Sequence, residues 1–147
     1  MTDLVQLIIM ALTIWQEAGG ESYVGKLAVA YVIRNRAKNQ GKSISDVVLK
    51  AWQFSAWNTD SPTRMNIDAI DDGKLAECIK AALAATWYLE PDPTNGAAYY
   101  LNEATVMATA GKLPDWWNID ADPASEIKIG HHTFRKARTS KAGLAVS

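Results

Sequence analysis

The chain has 147 residues, 48% of them hydrophobic and 21% charged, which predicts one globular domain with its own core and argues against long disorder. Its 15 Lys and Arg against 16 Asp and Glu leave a net charge of −1, a balance that disfavours a strongly basic nucleic-acid binder. Cys78 is the one cysteine and there are 2 histidines, so an internal disulfide is excluded and neither a cysteine-based nor a multi-histidine metal site is expected.

The apolar run from Leu4 to Trp15 has no positive leader and no Ala-x-Ala cleavage site, and Asp3 stands at its front. It reads as a helix rather than an export signal, and it is too short to span a bilayer. Asp3 is a plausible N-cap. Leu4, Leu7, Ile8, Ala11, Ile14 and Trp15 recur at three- and four-residue spacing, and Gly19-Gly20 ends the helix. Glu17 falls in its last turn, at the negative end of the macrodipole, where a carboxylate wastes stability unless it has a task. Ser22 can cap a second helix to about Asn39. The stretch from Leu27 to Ile33 is apolar on every side, which fits a buried helix, with Gly25, Ala28, Ala30 and Ala37 allowing a close neighbour.

A short helix is predicted from Ser45 to Lys50. Residues 51–57 mix aromatic and small polar groups at neither period, and 58–72 reads as a loop. Asp72 is expected to cap a third long helix, from Gly73 to Leu89, with Leu75, Ile79, Ala82, Leu83 and Thr86 as its apolar side and Pro91 and Pro93 as its stop. A turn over Pro93 to Gly96 leads into a strand from Ala97 to Asn102. Residues 108–124 read as loop around Trp116-Trp117. Glu126 to Arg135 alternates and reads as a second strand. The residues therefore predict a mainly α chain with a little β structure, residues 1–137 forming one domain and 138–147 a flexible basic tail.

Several chemistries drop out. Adjacent histidines on a strand point to opposite faces, so His131 and His132 are poor partners for one metal. Neither a Gly-x-Ser-x-Gly elbow nor a phosphate-binding glycine loop occurs. Cys78, inside a helix, reads as a small core residue. Carboxylate, amide, hydroxyl and aromatic groups remain, a set suited to carbohydrate, since glycosidic cleavage needs an acid at the leaving oxygen. Of 6 tryptophans, Trp15 and Trp87 read as core, while Trp57, Trp116 and Trp117 read equally as core or sugar platform. Met10, Ile14 and Glu17 share one helical face, so Glu17 is the candidate acid; an ordinary exposed helix-end glutamate fits the pattern as well. Glu21 follows a glycine break, so a fixed carboxylate pair cannot be assumed.

Four blocks carry a resemblance. Glu17-Ala-Gly-Gly-Glu-Ser-Tyr-Val-Gly25, continuing through Leu27-Ala-Val-Ala-Tyr-Val-Ile-Arg-Asn-Arg36, is followed by Gln53-Phe-Ser55, by Asp92-Pro-Thr-Asn-Gly-Ala-Ala-Tyr-Tyr-Leu-Asn102 and by Ile129-Gly-His-His-Thr-Phe134. In that order they resemble the SleB/CwlJ cell-wall hydrolase family of spore cortex-lytic enzymes and phage relatives. Gly19 stands where that family usually has Arg, His131 where it has Asn, and Gln16 where it has Ala.

The resemblance implies a lysozyme-like, mainly α fold with a small β-hairpin, and cleavage of peptidoglycan between N-acetylmuramic acid and N-acetylglucosamine. It maps the catalytic glutamate onto Glu17. Glu21, Gln53, Ser55, Tyr99, Tyr100, Asn102 and His132 are the expected substrate contacts. Strand alternation suggests that only one of Tyr99 and Tyr100 faces the groove. No cofactor, nucleic acid or stable membrane insertion is expected, and the protein is expected to be a monomer. With no second acid facing Glu17, the muramoyl 6-hydroxyl or the acetamido oxygen would attack, giving a lytic transglycosylase; a hydrolytic muramidase helped by Glu21 is the alternative. A non-catalytic peptidoglycan-binding module and a DNA-binding protein using Arg34, Arg36, Lys38 and Lys42 are further alternatives. The expected setting is a phage endolysin, made in the host cytoplasm without a signal peptide and acting on the wall after release; a bacterial enzyme lacking its own leader fits as well.

Overall fold

The computed structural model describes residues 3–50 and 69–138. Gln53, Ser55 and Trp57, and most of the stretch expected as a loop, lie outside the described residues. Helix α1 spans Asp3–Ala18, α2 Tyr23–Gln40, α3 Ile44–Leu49 and α4 Asp72–Thr86. Strand β1 is Tyr99–Leu101, followed by α5 (Glu103–Ala110), α6 (Trp116–Ile119), β2 (Ile127–Ile129) and β3 (His132–Arg135). The three strands form an antiparallel sheet in the order β1-β3-β2.

Helix α2 explains its all-round apolar sequence by its position. It packs on α1, α3 and α4, so Leu27 to Ile33 are all buried. Ser22 caps it by accepting from the Gly25 N–H, as expected, and Gly41 closes it in the left-handed conformation. The apolar run at the front of the chain forms α1, with Met10 and Ile14 fully buried in the core.

Helix α4 departs from expectation in three respects. Its cap is Asp71, which accepts from the Lys74 N–H at 2.9 Å, not Asp72. Its buried face is Cys78, Ala81, Ala82, Ala84 and Ala85, while Ile79 is exposed and Leu75 and Leu83 are half-buried. Two helices, α1 and α2, press on α4, and small side chains let backbones approach while larger ones move to the flanks. The helix also stops at Thr86, well before Pro91. Tyr88 takes φ 54°, and the Leu89 N–H reaches back to the Ala84 carbonyl at 2.9 Å, the bond of a Schellman closure. Glycine is favoured at that left-handed position; tyrosine there costs about 1–2 kcal/mol. Trp87, expected in the core, is 50% exposed as a result.

Residues 108–124, also expected as loop, contain the end of α5, all of α6 and most of a 3-10 turn, Pro123–Ser125. Helix α5 has no buried residue, so it carries no hydrophobic period; the Asn102 cap on Thr105 N–H and the left-handed Gly111 after it are its sequence signals. The strand expected over Glu126 to Arg135 is a hairpin, β2 and β3, turning at Gly130 with φ 58°. Every residue of β3 is buried, because it is the central strand and is covered on both faces. The bridge between Ala121 and Ala137 and the bonds from Arg138 to the Asn118 and Asp120 carbonyls tie the chain down through Arg138.

Candidate active site

Glu17 sits half-buried in the last turn of α1, where the chain leaves the helix through Gly19-Gly20. The turn is tight: a Cβ on Gly19 would meet the Trp15 carbonyl oxygen at 2.4 Å, so the backbone here requires glycine. From β1, Tyr100 donates its hydroxyl hydrogen to Glu17 Oε1. Burial, and then the neighbouring Glu17 charge and hydrogen bond, hold the Tyr100 phenol well above its ordinary range, with Arg36 opposing, so Tyr100 stays a neutral donor. Its ring stands edge-on to His132, centroids 5.1 Å apart, and stacks on Phe134 at 5.8 Å.

Two hollows meet at Glu17. One, ≈ 480 Å³, is bordered by Trp15, Glu21, Lys74 and His131; the other, ≈ 720 Å³, by Arg36, Lys50, Tyr99, Tyr100, Trp116 and Asp120. Glu17, Asn102 and His132 border both. The acid thus stands midway along a groove lined by amide, aromatic and charged groups. Both tyrosines border the larger hollow, contrary to the expectation that only one would, because β1 is an edge strand and the hollow wraps it. Tyr100 meets the acid, while Tyr99 pairs with Trp116 at 5.8 Å under the Arg36 guanidinium.

Glu21 and the histidines form a second cluster. Glu21 Oε1 accepts from the His131 N–H at 3.1 Å, and Oε2 lies 3.1 Å from His131 Nδ1. His132 Nδ1 is 3.1 Å from Oε1, off the line of a good hydrogen bond. The two rings therefore converge on one carboxylate rather than pointing apart, since His131 belongs to the turn and only His132 to the strand. Burial works to raise the Glu21 pKa, but the His131 N–H and both rings outweigh it and leave the carboxyl below its ordinary value. Burial lowers the His132 pKa against the pull of Glu21. A Cβ on Gly130 would stand 2.9 Å from Glu21 Oε2, so glycine lets the hairpin close over the carboxylate. Among the described residues no group of three or more His, Cys, Asp or Glu side chains could hold a metal ion.

Several supporting residues escaped the sequence reading. Lys26, buried in α2, donates to the Glu21 carbonyl at 2.9 Å and pairs with Glu77 at 2.5 Å, fastening the glycine loop to α4. Its signal was a lysine inside an apolar helical run. Arg36 grips the Ala98 carbonyl through Nε and Nη2 at 3.1 and 2.7 Å. Glu103 joins α6 to β3, accepting from Trp117 Nε1 and the Thr133 hydroxyl. Trp117 is fully buried and Trp116 is 37% exposed, so the adjacent pair divides into a core residue and a groove residue. Burial pushes the Cys78 thiol up to about 11, consistent with an inert core cysteine.

A family model described as cell wall hydrolase matches residues 20–135, a segment that begins just after Glu17. The spore cortex-lytic enzyme of Halalkalibacterium halodurans is 32% identical over 129 residues, 86% of this chain and 33% of that protein; the chain spans about a third of the length of this curated relative. The solved catalytic domain of the germination-specific lytic transglycosylase SleB from Bacillus anthracis superposes with a TM-score of 0.64 at 27% identity, covering 92% of this chain and 97% of that one. The SleB catalytic domain from Bacillus cereus does so at 0.63 and 28%, covering 92% and 93%. The chain belongs to the cell wall hydrolase family. Its mainly helical fold with one small antiparallel sheet is shared with the SleB catalytic domains.

Proposed function

We propose that the chain cleaves peptidoglycan glycan strands between N-acetylmuramic acid and N-acetylglucosamine as a lytic transglycosylase, with Glu17 as general acid and then general base. The observation that carries the reading is the placement of Glu17. It stands at the junction of the two hollows with Tyr100 donating to it, whereas the oxygens of Glu21 face the hairpin donors. The likeness to the catalytic domain of the germination-specific lytic transglycosylase SleB supports the same chemistry.

Protonated Glu17 gives its hydrogen to the bridging oxygen as the bond from that oxygen to the muramoyl anomeric carbon breaks. The muramoyl 6-hydroxyl then attacks that carbon, and the Glu17 carboxylate takes the hydroxyl proton, closing a 1,6-anhydro ring and restoring the acid. Asn102, Tyr99, Glu21 and His132, with Gln53 and Ser55, are proposed as contacts to N-acetyl and ring-hydroxyl groups. The strand is the partner, and the protein acts on it outside the cytoplasm, as a phage endolysin does once the inner membrane is breached.

Mass spectrometry of digested sacculi tests the chemistry. Fragments one water lighter than reducing muropeptides are expected, and Glu17→Gln is expected to release none. Hydrated reducing ends throughout would replace this reading with a hydrolytic muramidase, and binding without fragments from the wild type would replace it with a non-catalytic module.

A further inference from the structure

Arg36 and Gln40, which border the groove, lie on one side of α2. Successive helical residues turn by about 100°, so Arg34 projects from the opposite side. There it enters a third hollow, ≈ 680 Å³, whose lining includes Gln6, Lys42, Ser43, Asp46 and Trp87 and shares no residue with either hollow at Glu17.

Arg34 is unusual among the charged residues. Its Nε is closed off from water and has no hydrogen-bond partner among the described residues. Asp3 and Asp46 border the same hollow, yet among the described residues no carboxylate comes within 4.0 Å of the guanidinium. Its contact is the Tyr88 ring, 5.2 Å from Cζ. A half-buried guanidinium with unmade hydrogen bonds is costly unless an acceptor arrives. The Tyr88 that supports it occupies the left-handed closure of α4 where glycine would sit without strain, and residues held in such conformations mark places where stability is given up for something else. Trp87, the preceding residue, faces the hollow half-exposed. A planar cation with an unsatisfied donor, a second cation in Lys42, an open indole and a rim of hydroxyl, amide and carboxylate groups suit a sugar polymer bearing carboxylates.

We propose that this hollow is a second, non-catalytic attachment site for peptidoglycan. Arg34, assisted by Lys42, takes a carboxylate of the muramic acid or its stem peptide, and Trp87 carries the face of a neighbouring sugar ring. The choice of polymer rests on the function proposed above. A site remote from the cutting groove holds the enzyme on an insoluble substrate between cuts by raising its effective concentration there.

Glu17→Gln protein, intended to bind without cutting, is sedimented with purified sacculi, alone and combined with Trp87→Ala or Arg34→Gln. Each added substitution is expected to weaken binding at least about fivefold. Capping the sacculus carboxylates as neutral amides should bring the parent down to the Arg34→Gln level and leave Arg34→Gln binding unchanged. Stripping wall phosphate polymers with acid should change nothing. In the active protein, Trp87→Ala should slow clearing of intact sacculi while leaving kcat/KM on a short soluble glycan fragment unchanged. Unaltered binding by both variants overturns the site, and loss of binding on phosphate stripping overturns the peptidoglycan assignment. Trp87 is exposed, so its variant remains informative if Arg34→Gln does not fold. Fragment release by Glu17→Gln would sink the groove assignment alone, since the effect of the added substitutions is still read with intact sacculi at low temperature.

Discussion

Glu21→Gln isolates the charge at the point where the β2–β3 hairpin meets the α1–α2 corner. The Glu21 side chain is 10% exposed and meets the His131 N–H, the His131 ring and the His132 ring, each at 3.1 Å. A hydrogen bond to an ionised group contributes about 1.5–3 kcal/mol and a neutral one about 1 kcal/mol. Glutamine keeps an oxygen for the His131 N–H and removes the charge from both rings, so the variant should be less stable by about 1–2 kcal/mol near neutral pH. The sign of the pH dependence follows from the shift. The folded carboxyl lies below its ordinary value of 4.5, so its contribution is complete above that value and drains away as pH falls through the folded pKa. His132 adds an earlier step. Burial depresses its pKa, so both proteins lose stability as the unfolded chain takes up that proton, and the variant loses more because the favourable charge of Glu21 is gone. Urea unfolding should therefore show a gap between wild type and variant that holds or widens from about pH 7 to about pH 5, then closes towards about pH 3. A gap of the same size at both ends of that range, or none near neutrality, would refute the argument.

Tyr100→Phe removes the hydroxyl that meets Glu17 Oε1. Loss of about 1.5–3 kcal/mol at the reacting carboxyl predicts a fall in kcat/KM on sacculi of about 10- to 150-fold, read on protein shown to be folded at the assay temperature; wild-type turnover would rule out the positioning role. Gly130→Ala places an L-residue at φ 58° and a Cβ 2.9 Å from Glu21 Oε2. It should lower the thermal midpoint by about 3–8 °C, and a double-mutant cycle with Glu21→Gln should be non-additive because both act on one carboxylate. Strict additivity would mean that the glycine serves the turn alone.

The helices that could be read in advance were those whose signals are local. Ser22 before an apolar run, Gly19-Gly20 after one and the three- and four-residue spacing of α1 need nothing beyond their own neighbours, and they place Glu17 at a helix end. Helix α5 could have been found by the Asn102 cap and Gly111, but it buries nothing, so a search for hydrophobic period passes over it. The face of α4 was misassigned because size was taken for burial, whereas the squeeze between two helices selects alanine and cysteine. The second strand was read as continuous because alternation survives across Gly130, whose left-handed turn is invisible to a pattern of period two.

By itself, the order of residues determined the predominance of helix, the buried character of α2, the glycine exit from α1 and the acid set just before it. The tertiary structure alone decided that Tyr100 reaches Glu17 from 83 positions away, that two neighbouring histidines share Glu21, and that Arg34 and Trp87 border one hollow. Local signals act within a helical turn or two, where spacing and capping chemistry set the outcome. Contacts between distant segments depend on how whole elements pack, and that packing depends on the shapes of every partner at once.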